Sequence, residues 1–450
     1  MKLRWEWMAG IAVNIALLPV AQALTLQEAI QKVIDENPKI QAAKSERRAV
    51  EEEVSQAKAG YLPTVDVVAG IGWEESNNPT TRARGDGSVF YHREESGVQV
   101  RQLLFDGLAT PSEVERQEAR TDSRAYTVFG QSEITALDGV EAYIKVLRRQ
   151  ELLALTQENL ERHQRTNDQI KLRSERGVGK KADADQSLGR LALAEKNVLS
   201  ETGNLQDAET NFLRIVGVLP ENVQAIAAPG EALPKSLEQA IDEALANHPI
   251  LKSANSDIDS AFAQHNTARA AYMPRFDVEA GVSHNYNLDG IQGTNSDMTA
   301  MLRMRYNIFN GGKDLARREQ TAELINQAKD IRDNTYRQVV ESMRLSWVAR
   351  QTLSSQMAFF EQHVQSSEKT IAAYQQQFNI GQRTLLDLLD TFNEAYLAKA
   401  SFINAKYDEL LAQFRILASK GGLNQYLSVK LPDETKSLDG EERRVTEEAL

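Results

Sequence analysis

The feature that most constrains the fold is an internal repeat covering nearly the whole chain. Leu26, Pro38, Tyr61 and Pro63 each match an identical residue 211 positions later. The spacing then shortens by seven residues, so that Leu104-Phe105-Asp106-Gly107 matches Ile308-Phe309-Asn310-Gly311. A repeat of this length predicts two copies of one structural unit. We assign residues 24–220 to the first copy, 221–234 to a linker and 235–425 to the second copy.

Each copy contains two segments in which apolar and polar residues alternate. In the second copy Phe276, Val278, Ala280 and Val282 alternate with more polar neighbours. A period of two predicts strands with one apolar and one polar face. The predicted strands are about 64–74, 90–105, 275–286 and 297–309, with residues 77–87 as a hairpin loop. Such hairpins suit either a membrane barrel wall or a soluble sandwich.

A very long helix is predicted after each hairpin. No proline occurs between Pro111 and Pro220, or from about Gly312 to Phe378. Some 65 helical residues would extend roughly 100 Å. We expect Thr110 to be the N-cap of the first long helix, since a glutamate three residues later completes a capping box. Apolar residues then step by three and four, which predicts coiled-coil helical hairpins that turn near Gly179 and Gly381.

The two ends of the chain differ from the repeats. Lys2 and Arg4 precede an apolar stretch and the small-x-small site Ala21-Gln22-Ala23, which predicts a signal peptide over residues 1–23. An uncleaved membrane anchor is the alternative. Residues 426–450 are acidic and poorly patterned, so we predict a disordered tail.

Composition argues against several function classes. The chain has no cysteine, so it lacks disulfides, thiolate metal sites and a lipidated N-terminal cysteine. Its net charge of −12 argues against nucleic-acid binding. The six histidines are scattered, and Gly177-Val178-Gly179-Lys180-Lys181 lacks the first glycine and the hydroxyl of a phosphate loop. We therefore predict no enzyme activity, no catalytic residue, no metal and no cofactor.

The strand count bears on assembly. Four strands cannot close a barrel, because small barrels need about eight. An open sheet in lipid would leave its edges unsatisfied. The pattern thus predicts an α+β membrane protein whose sheet closes through other protomers and whose helices extend the lumen. A soluble periplasmic coiled-coil scaffold or adaptor is the rival interpretation.

Several motifs resemble the TolC family of outer-membrane channels. They are Gly60-Tyr61-Leu62-Pro63, Ala271-Tyr272-Met273-Pro274, Leu104-Phe105-Asp106-Gly107 and the stretch from Ile380 to Asp390. The resemblance implies a homotrimer with a shared twelve-stranded barrel in outer-membrane lipid and a periplasmic helical tunnel. It also implies a periplasmic membrane-fusion adaptor and an inner-membrane pump as partners.

The resemblance also assigns roles to individual residues. Asp387 and Asp390 match acidic rings at the periplasmic entrance, and Arg383 with Asp185 matches a latch that holds it shut. Phe378 replaces a tyrosine of that latch. The turns match adaptor-docking tips, formed by Val178, Gly179, Lys180, Ile380, Gly381 and Gln382. From the residues alone, Asp387 and Asp390 would be an ordinary solvated helix face.

The exported cargo is the last expectation. The missing lipid-anchor cysteine separates the chain from the lipid-anchored multidrug branch. The sequence from Val178 to Gln186 is similar to that of type I secretion members, including adhesin exporters. We therefore expect export of polypeptides from an ABC exporter, with drug efflux driven by a proton-coupled pump as the alternative.

Overall fold

The structure is a computed structural model that describes residues 24–438. The predicted signal peptide and the last part of the predicted tail, residues 439–450, lie outside the described residues. The two repeats form the same elements in the same order, apart from a short helix in the first hairpin and another at the end of the second repeat.

The first repeat begins with two helices, continues through a hairpin and ends in two long helices. In chain order these are α1 (Leu26–Glu36), α2 (Pro38–Ala59), β1 (Thr64–Ser76), α3 (Pro79–Ala83), β2 (Val89–Phe105), α4 (Ala109–Glu175) and α5 (Lys181–Val216). Helix α3 lies where only a loop was predicted. Asn78 starts it, because its side chain accepts hydrogen bonds from the backbone N–H groups of Thr80 and Thr81.

The second repeat has the matching series after a linker. Its elements are α6 (Leu237–Asn247), α7 (Pro249–Ala270), β3 (Arg275–Tyr286), β4 (Thr294–Arg305), α8 (Lys313–Asn379), α9 (Leu385–Ser419) and α10 (Leu423–Tyr426). Helices α4 and α8 contain 67 residues each. Strand β4 ends four residues before the predicted boundary at residue 309.

Among residues 24–438, no helix carries a stretch that is both long and apolar enough to cross a membrane.

The four strands form one antiparallel sheet in the order β1-β2-β3-β4. Thr64 lies opposite Arg101 in the first hairpin, Val98 opposite Val282 at the junction of the repeats, and Arg275 opposite Arg305 in the second hairpin. These registers put the apolar residues of neighbouring strands on the same face, as the alternation predicts. Val67 and Met298 on that face are 78% and 82% exposed.

The start of α4 differs from the prediction. The side chain of Asp106, rather than that of Thr110, accepts the capping hydrogen bonds. Its carboxylate receives the backbone N–H of Thr110 at 2.9 Å and the Thr110 hydroxyl at 2.6 Å. Glu113, which was expected to close a capping box, instead binds Arg116. A Thr-x-x-Glu pattern can also lie within the first turn of a helix that begins earlier, and α4 begins at Ala109.

The described chain divides into two compact units, and both long helices contribute to each. The first unit contains residues 24–33, Asp138–Ala228 and Ser355–Leu411. Its core follows the predicted coiled-coil seam, with Ile371, Leu389 and Phe392 buried. The second unit contains Ile34–Leu137, Pro229–Ser354 and residues 412–438, and it includes the sheet.

Within the second unit, Glu133 is buried on α4. Its carboxylate accepts the backbone N–H groups of Leu423 and Asn424 at 3.0 and 3.2 Å. These bonds satisfy donors at the start of α10, but burial still raises the pKa of Glu133 to about 7.

The tail prediction is wrong for residues 426–438. The backbone N–H of Leu438 donates to Asp122 at 2.8 Å, and Glu434 lies 3.8 Å from the Lys44 ammonium group. Glu434, one of the acidic side chains that suggested disorder, therefore meets the basic residues Lys44 and Arg48 of α2. That pairing depends on tertiary structure and leaves no trace in the tail's own composition.

Candidate functional site

The candidate site lies in the first unit, at the turns that join α4 to α5 and α8 to α9. We call these turns tip 1 (residues 176–180) and tip 2 (residues 380–384). Each has a glycine in the left-handed region, Gly177 with φ 74° and Gly381 with φ 78°. Their N–H groups donate to Ser174 and Phe378, three residues earlier, at 3.0 and 3.1 Å. The two backbones thus end a helix in the same way.

This geometry corrects the sequence alignment of the tips. The sequence match of Val178-Gly179 with Ile380-Gly381 equates Gly179 with Gly381. In the structure, the equivalent of Gly381 is Gly177. The shift of two residues makes Asp183, rather than Asp185, the counterpart of Asp387. Asp183 and Asp387 both lie in the first turn of the returning helix.

The predicted docking residues are exposed at both tips. The Val178 side chain is 77% exposed and the Ile380 side chain 69%. The remaining predicted docking residues, Gly179, Lys180, Gly381 and Gln382, are exposed as well. Docking of an adaptor here stays a prediction.

Asp387 caps helix α9. Its carboxylate accepts the Thr384 hydroxyl at 2.8 Å and the Thr384 backbone N–H at 3.2 Å, while its own N–H donates to the Thr384 hydroxyl. This reciprocal arrangement is a capping box. The hydrogen bonds from Thr384, with the nearby Arg383 charge, hold the pKa of Asp387 below its usual value. Asp387 therefore carries a negative charge in a fixed position.

Asp390 lies one turn further along α9 and is paired. Arg190 of α5 donates to its carboxylate at 2.8 Å. The Asp390 side chain is 58% exposed and that of Arg190 32%, so the pair is open to solvent. Within one protomer, Arg190 offsets the charge of the second predicted ring.

Arg383 is held by its own hairpin. Its Nε donates to the Gln377 side chain at 2.9 Å, and its guanidinium carbon lies 4.3 Å from the centre of the Tyr374 ring. Such cation–π contacts favour a planar guanidinium over an aromatic face. Within residues 24–438 of a single chain, no ion pair joins Arg383 to the exposed Asp185. Their pairing across protomers stays a prediction.

Phe378, where the resemblance leads us to expect a latch tyrosine, packs into the hairpin. Its ring faces the Arg173 guanidinium at 5.3 Å and borders a buried apolar cluster. We call this the tip cluster; its buried members are Ile170, Ile371, Leu385, Leu388, Leu389, Phe392 and Ala395. The cluster holds the first turns of α9 in place beneath Asp387 and Asp390.

Sequence reasoning missed three residues of this site. Thr384 had a visible signal, because Thr-x-x-Asp before an apolar run is a capping-box pattern. Arg190 had none, since it lies 200 positions from its partner Asp390. Tyr374 was assigned to the coiled-coil seam, and its contact with Arg383 depends on how the turn folds.

No group of three or more His, Asp or Glu side chains in the described part of the chain is arranged to hold a metal ion.

Comparisons with known proteins agree with this architecture. The family model described as "Outer membrane efflux protein" matches residues 29–218 and 240–422, one match for each repeat. The chain is 25% identical over 404 residues to the outer membrane efflux protein BepC of Brucella suis, covering 88% of this chain and 85% of BepC. It is 26% identical over 436 residues to the alkaline protease secretion protein AprF of Pseudomonas aeruginosa, covering 93% and 89%.

The fold agrees with solved structures as well. The Campylobacter jejuni CmeC outer membrane channel superposes with a TM-score of 0.78 at 14% identity, covering 88% of this chain and 86% of CmeC. The family model and the two relatives confirm the TolC resemblance and the outer-membrane location, which replaces the alternative of a soluble scaffold. The chain belongs to the outer membrane efflux protein family, the TolC family of channel proteins.

Proposed function

We propose that this chain is one protomer of a homotrimeric channel that exports polypeptides across the outer membrane. The observation that carries the proposal is the open four-stranded sheet with an exposed apolar face. In lipid, the unpaired backbone groups of its two edge strands need partners. Three such sheets would supply twelve strands, enough to close a barrel around a lumen.

The opposite face of the sheet suits a water-filled lumen. Glu279 of β3 lies within hydrogen-bonding distance of Arg303 at 2.6 Å and Arg305 at 2.5 Å. Asp277 is fully buried beneath Arg275 and Arg305, at 3.0 and 2.9 Å. Paired charges on this face and apolar residues on the other are the arrangement that a channel wall requires.

The helical hairpins would continue the lumen into the periplasm and end in a gate. In this proposal Asp387 and Asp390 line the entrance, and Arg383 latches it to Asp185 of the neighbouring hairpin. The contacts of Arg383 with Gln377 and Tyr374 support a positioned side chain.

Arg383→Ser should raise single-channel conductance in planar bilayers. Arg383→Lys keeps the charge and should raise it less. Equal conductance of the unsubstituted protein and both variants would exclude Arg383 as a latch.

The proposed cargo is protein delivered by an inner-membrane ABC exporter through a periplasmic adaptor. The similarity to AprF, described as a protease secretion protein, supports secretion. The comparable similarity to BepC, described as an efflux protein, keeps drug efflux as the second candidate.

A deletion strain tests the cargo. Loss of the gene should remove one or more proteins from the culture supernatant and leave drug susceptibility unchanged, and the wild-type gene should restore them. An unchanged supernatant with increased drug susceptibility would favour the second candidate.

Complementation with tip variants tests the docking site. Val178→Asp/Ile380→Asp should form trimers but fail to restore export, because charge replaces the apolar surface of both tips. Val178→Leu/Ile380→Leu is the matched control and should restore it. Full export by the aspartate variant would exclude the tips as docking sites.

A further inference from the structure

The polar face of the sheet carries a cluster of arginines at the end where the strands join the helices. Arg101 lies near the end of β2, Arg275 starts β3, and Arg303 and Arg305 lie at the end of β4. We propose that these four side chains, which we call the arginine surface, bind the carboxylates of an acidic segment of the exported polypeptide. This inference rests on the proposed polypeptide channel and adds the kind of segment that its wall contacts.

Two carboxylates lie beneath the arginine surface. Asp277 is contacted by Arg275 at 3.0 Å and by Arg305 at 2.9 Å. Glu279 is contacted by Arg305 at 2.5 Å and by Arg303 at 2.6 Å. Each carboxylate therefore has at least two cationic partners, and these contacts hold the guanidinium groups in position.

The arginines, rather than the carboxylates, form the accessible layer. The side chain of Asp277 is fully buried and that of Glu279 is 19% exposed. The four arginine side chains are 41–52% exposed, and Arg101, whose guanidinium lies 3.5 Å from Glu279, is the most exposed of them. A solute that approaches this face would therefore meet guanidinium groups first.

The arginine surface has more hydrogen-bond donors than the two carboxylates can accept. Four guanidinium groups carry about 20 N–H donors, whereas two carboxylates offer about eight acceptor sites. Guanidinium groups bind further carboxylates through planar pairs of charge-assisted hydrogen bonds. A polypeptide segment with several Asp or Glu side chains has the matching charge and geometry.

Two further acidic residues lie at this end of the sheet. Asp66 lies opposite Gln99 of β2. Asp106 is close enough to Arg275 to act on it electrostatically, but its carboxylate holds the start of α4 through Thr110. These charges reduce the net positive charge of the region and leave the guanidinium layer itself exposed.

The first hairpin indicates that the sheet does not require this cluster. Positions in β1 and β3 correspond with an offset of 211 residues, and positions in β2 and β4 with an offset of 204. Arg275 therefore corresponds to Thr64, and Arg303 corresponds to Gln99. Both hairpins keep the same antiparallel register. Strand pairing thus forms with and without these two arginines, which leaves them available for a contact outside the sheet.

In the proposed trimer, three arginine surfaces would form a belt where the helical tunnel opens into the barrel. Every exported segment would pass this level. Positive charge on the wall of a narrow passage raises the local concentration of negatively charged groups. Transport also requires that contacts be numerous and individually weak, so that the segment enters and leaves. Exposed guanidinium groups that are already paired on one side meet that requirement.

Block of the open channel by the peptide hexaglutamate tests the proposal. In planar bilayers at low salt, hexaglutamate on both sides should reduce the current. Arg275→Thr/Arg303→Gln carries the residues of the first hairpin at both positions, and Arg305 still pairs with both carboxylates. This variant should need at least tenfold more hexaglutamate for half block. Arg275→Lys/Arg303→Lys keeps the charges but lacks the planar two-bond geometry, so its half-block concentration should rise less.

The matched control removes two arginines elsewhere in the sheet region. Arg82→Gln/Arg84→Gln changes exposed residues in and beside α3 of the first hairpin and should leave the block unchanged. Block by hexalysine should not weaken in any of these variants. An unchanged half-block concentration in Arg275→Thr/Arg303→Gln would overturn the proposal. Equal block by acetate at the same carboxylate concentration would also overturn it, because the surface would then take any small anion.

Conductance without peptide separates this proposal from the proposed function. If the unsubstituted protein forms no conducting trimers, the channel itself is refuted. If it conducts and hexaglutamate does not reduce the current, only the arginine surface is refuted. Light scattering of each variant reports its mass, so that a change in block is compared among trimers alone.

Discussion

Tip 1 and tip 2 have the same backbone but different side chains around it. Both turn through a left-handed glycine, and α5 and α9 begin four residues after it, at Lys181 and Leu385. In α9 the first turns carry Leu385, Leu389 and Phe392, which are 1–3% exposed. The structurally equivalent residues of α5 are Lys181, Asp185 and Leu188, and Leu188 is 58% exposed.

The helix caps differ as well. Thr384 and Asp387 form a capping box at tip 2. At tip 1 the N-cap is Lys180, whose side chain makes no capping hydrogen bond. A lysine has no acceptor for the free N–H groups at a helix start. The two repeats therefore share the turn, whereas a helix cap and large buried apolar side chains at the start of the returning helix are found at tip 2.

This difference suggests distinct tasks in the proposed gate. Tip 2 holds Asp387 and Asp390 on a packed and capped helix, with Arg383 in the turn that precedes it. Tip 1 has few buried apolar contacts in its first turns, and such segments open locally at lower free energy. We expect α5 to open more readily than α9.

The largest expected effect is loss of packing at tip 2. Leu389→Ala should lower the local opening free energy of α9 by about 2–5 kcal/mol, because it leaves a cavity in the tip cluster. Amide hydrogen exchange of residues 385–395 in the purified protein measures this. Leu188→Ala, at an exposed position of α5, is the control and should change exchange by less than about 0.5 kcal/mol. Equal losses would remove the distinction between the tips.

Exchanging the caps should give the next largest effect. Thr384→Ala removes the N-cap of α9. It should lower the opening free energy of the first turn of α9 by about 1 kcal/mol and so speed amide exchange there. Lys180→Thr creates a Thr-x-x-Asp capping box with Asp183 and should slow exchange in α5 by a similar amount. The same exchange experiment reads out both. If Lys180→Thr leaves α5 unchanged, the missing cap is not what distinguishes tip 1.

The link between α5 and α9 through Arg190 and Asp390 should be weaker. A double-mutant cycle with Arg190→Ala and Asp390→Ala should give a coupling of about 0.5 kcal/mol, because both side chains reach solvent. High salt should reduce that coupling. The readout is amide exchange of residues 385–395 at two ionic strengths. A coupling near zero at low salt would mean that the ion pair contributes nothing to tip 2.

The smallest expected effect is the loss of exchange protection in α9 at acid pH. The pKa of Asp387 is lowered in the folded protein, chiefly by the Thr384 hydrogen bonds. The stabilisation that the ionised Asp387 gives to folded α9 is therefore complete above the ordinary carboxyl pKa of about 3.9. It is lost as pH falls through the lowered pKa of the folded state. Exchange protection of α9, corrected for intrinsic rates, should stay constant from about pH 7 to 5 and fall below about pH 4. Asp387→Asn should reduce that dependence, and an unchanged acid response would assign it to other groups.

The sheet and the repeat were predictable because their signals are local and periodic. Alternation placed Val278 and Leu302 on one face, and the matched Phe105 and Phe309 defined the repeat. The offset at tip 1 was not predictable, because Gly177 and Gly179 suit a turn equally well in sequence. The pairing of Arg190 with Asp390 depends on the packing of helices from different repeats, which no local pattern encodes.

Ion selectivity in planar bilayers tests the proposed entrance most directly. The account predicts cation-selective channels, because the Asp387 carboxylates of three protomers concentrate negative potential at the proposed entrance, to which Asp390, paired with Arg190, adds less. Asp387→Asn/Asp390→Asn removes both charges while leaving an acceptor oxygen for the cap of α9. The reversal potential under a salt gradient should then shift toward zero. An unchanged reversal potential in this variant would contradict the placement of these residues at the entrance.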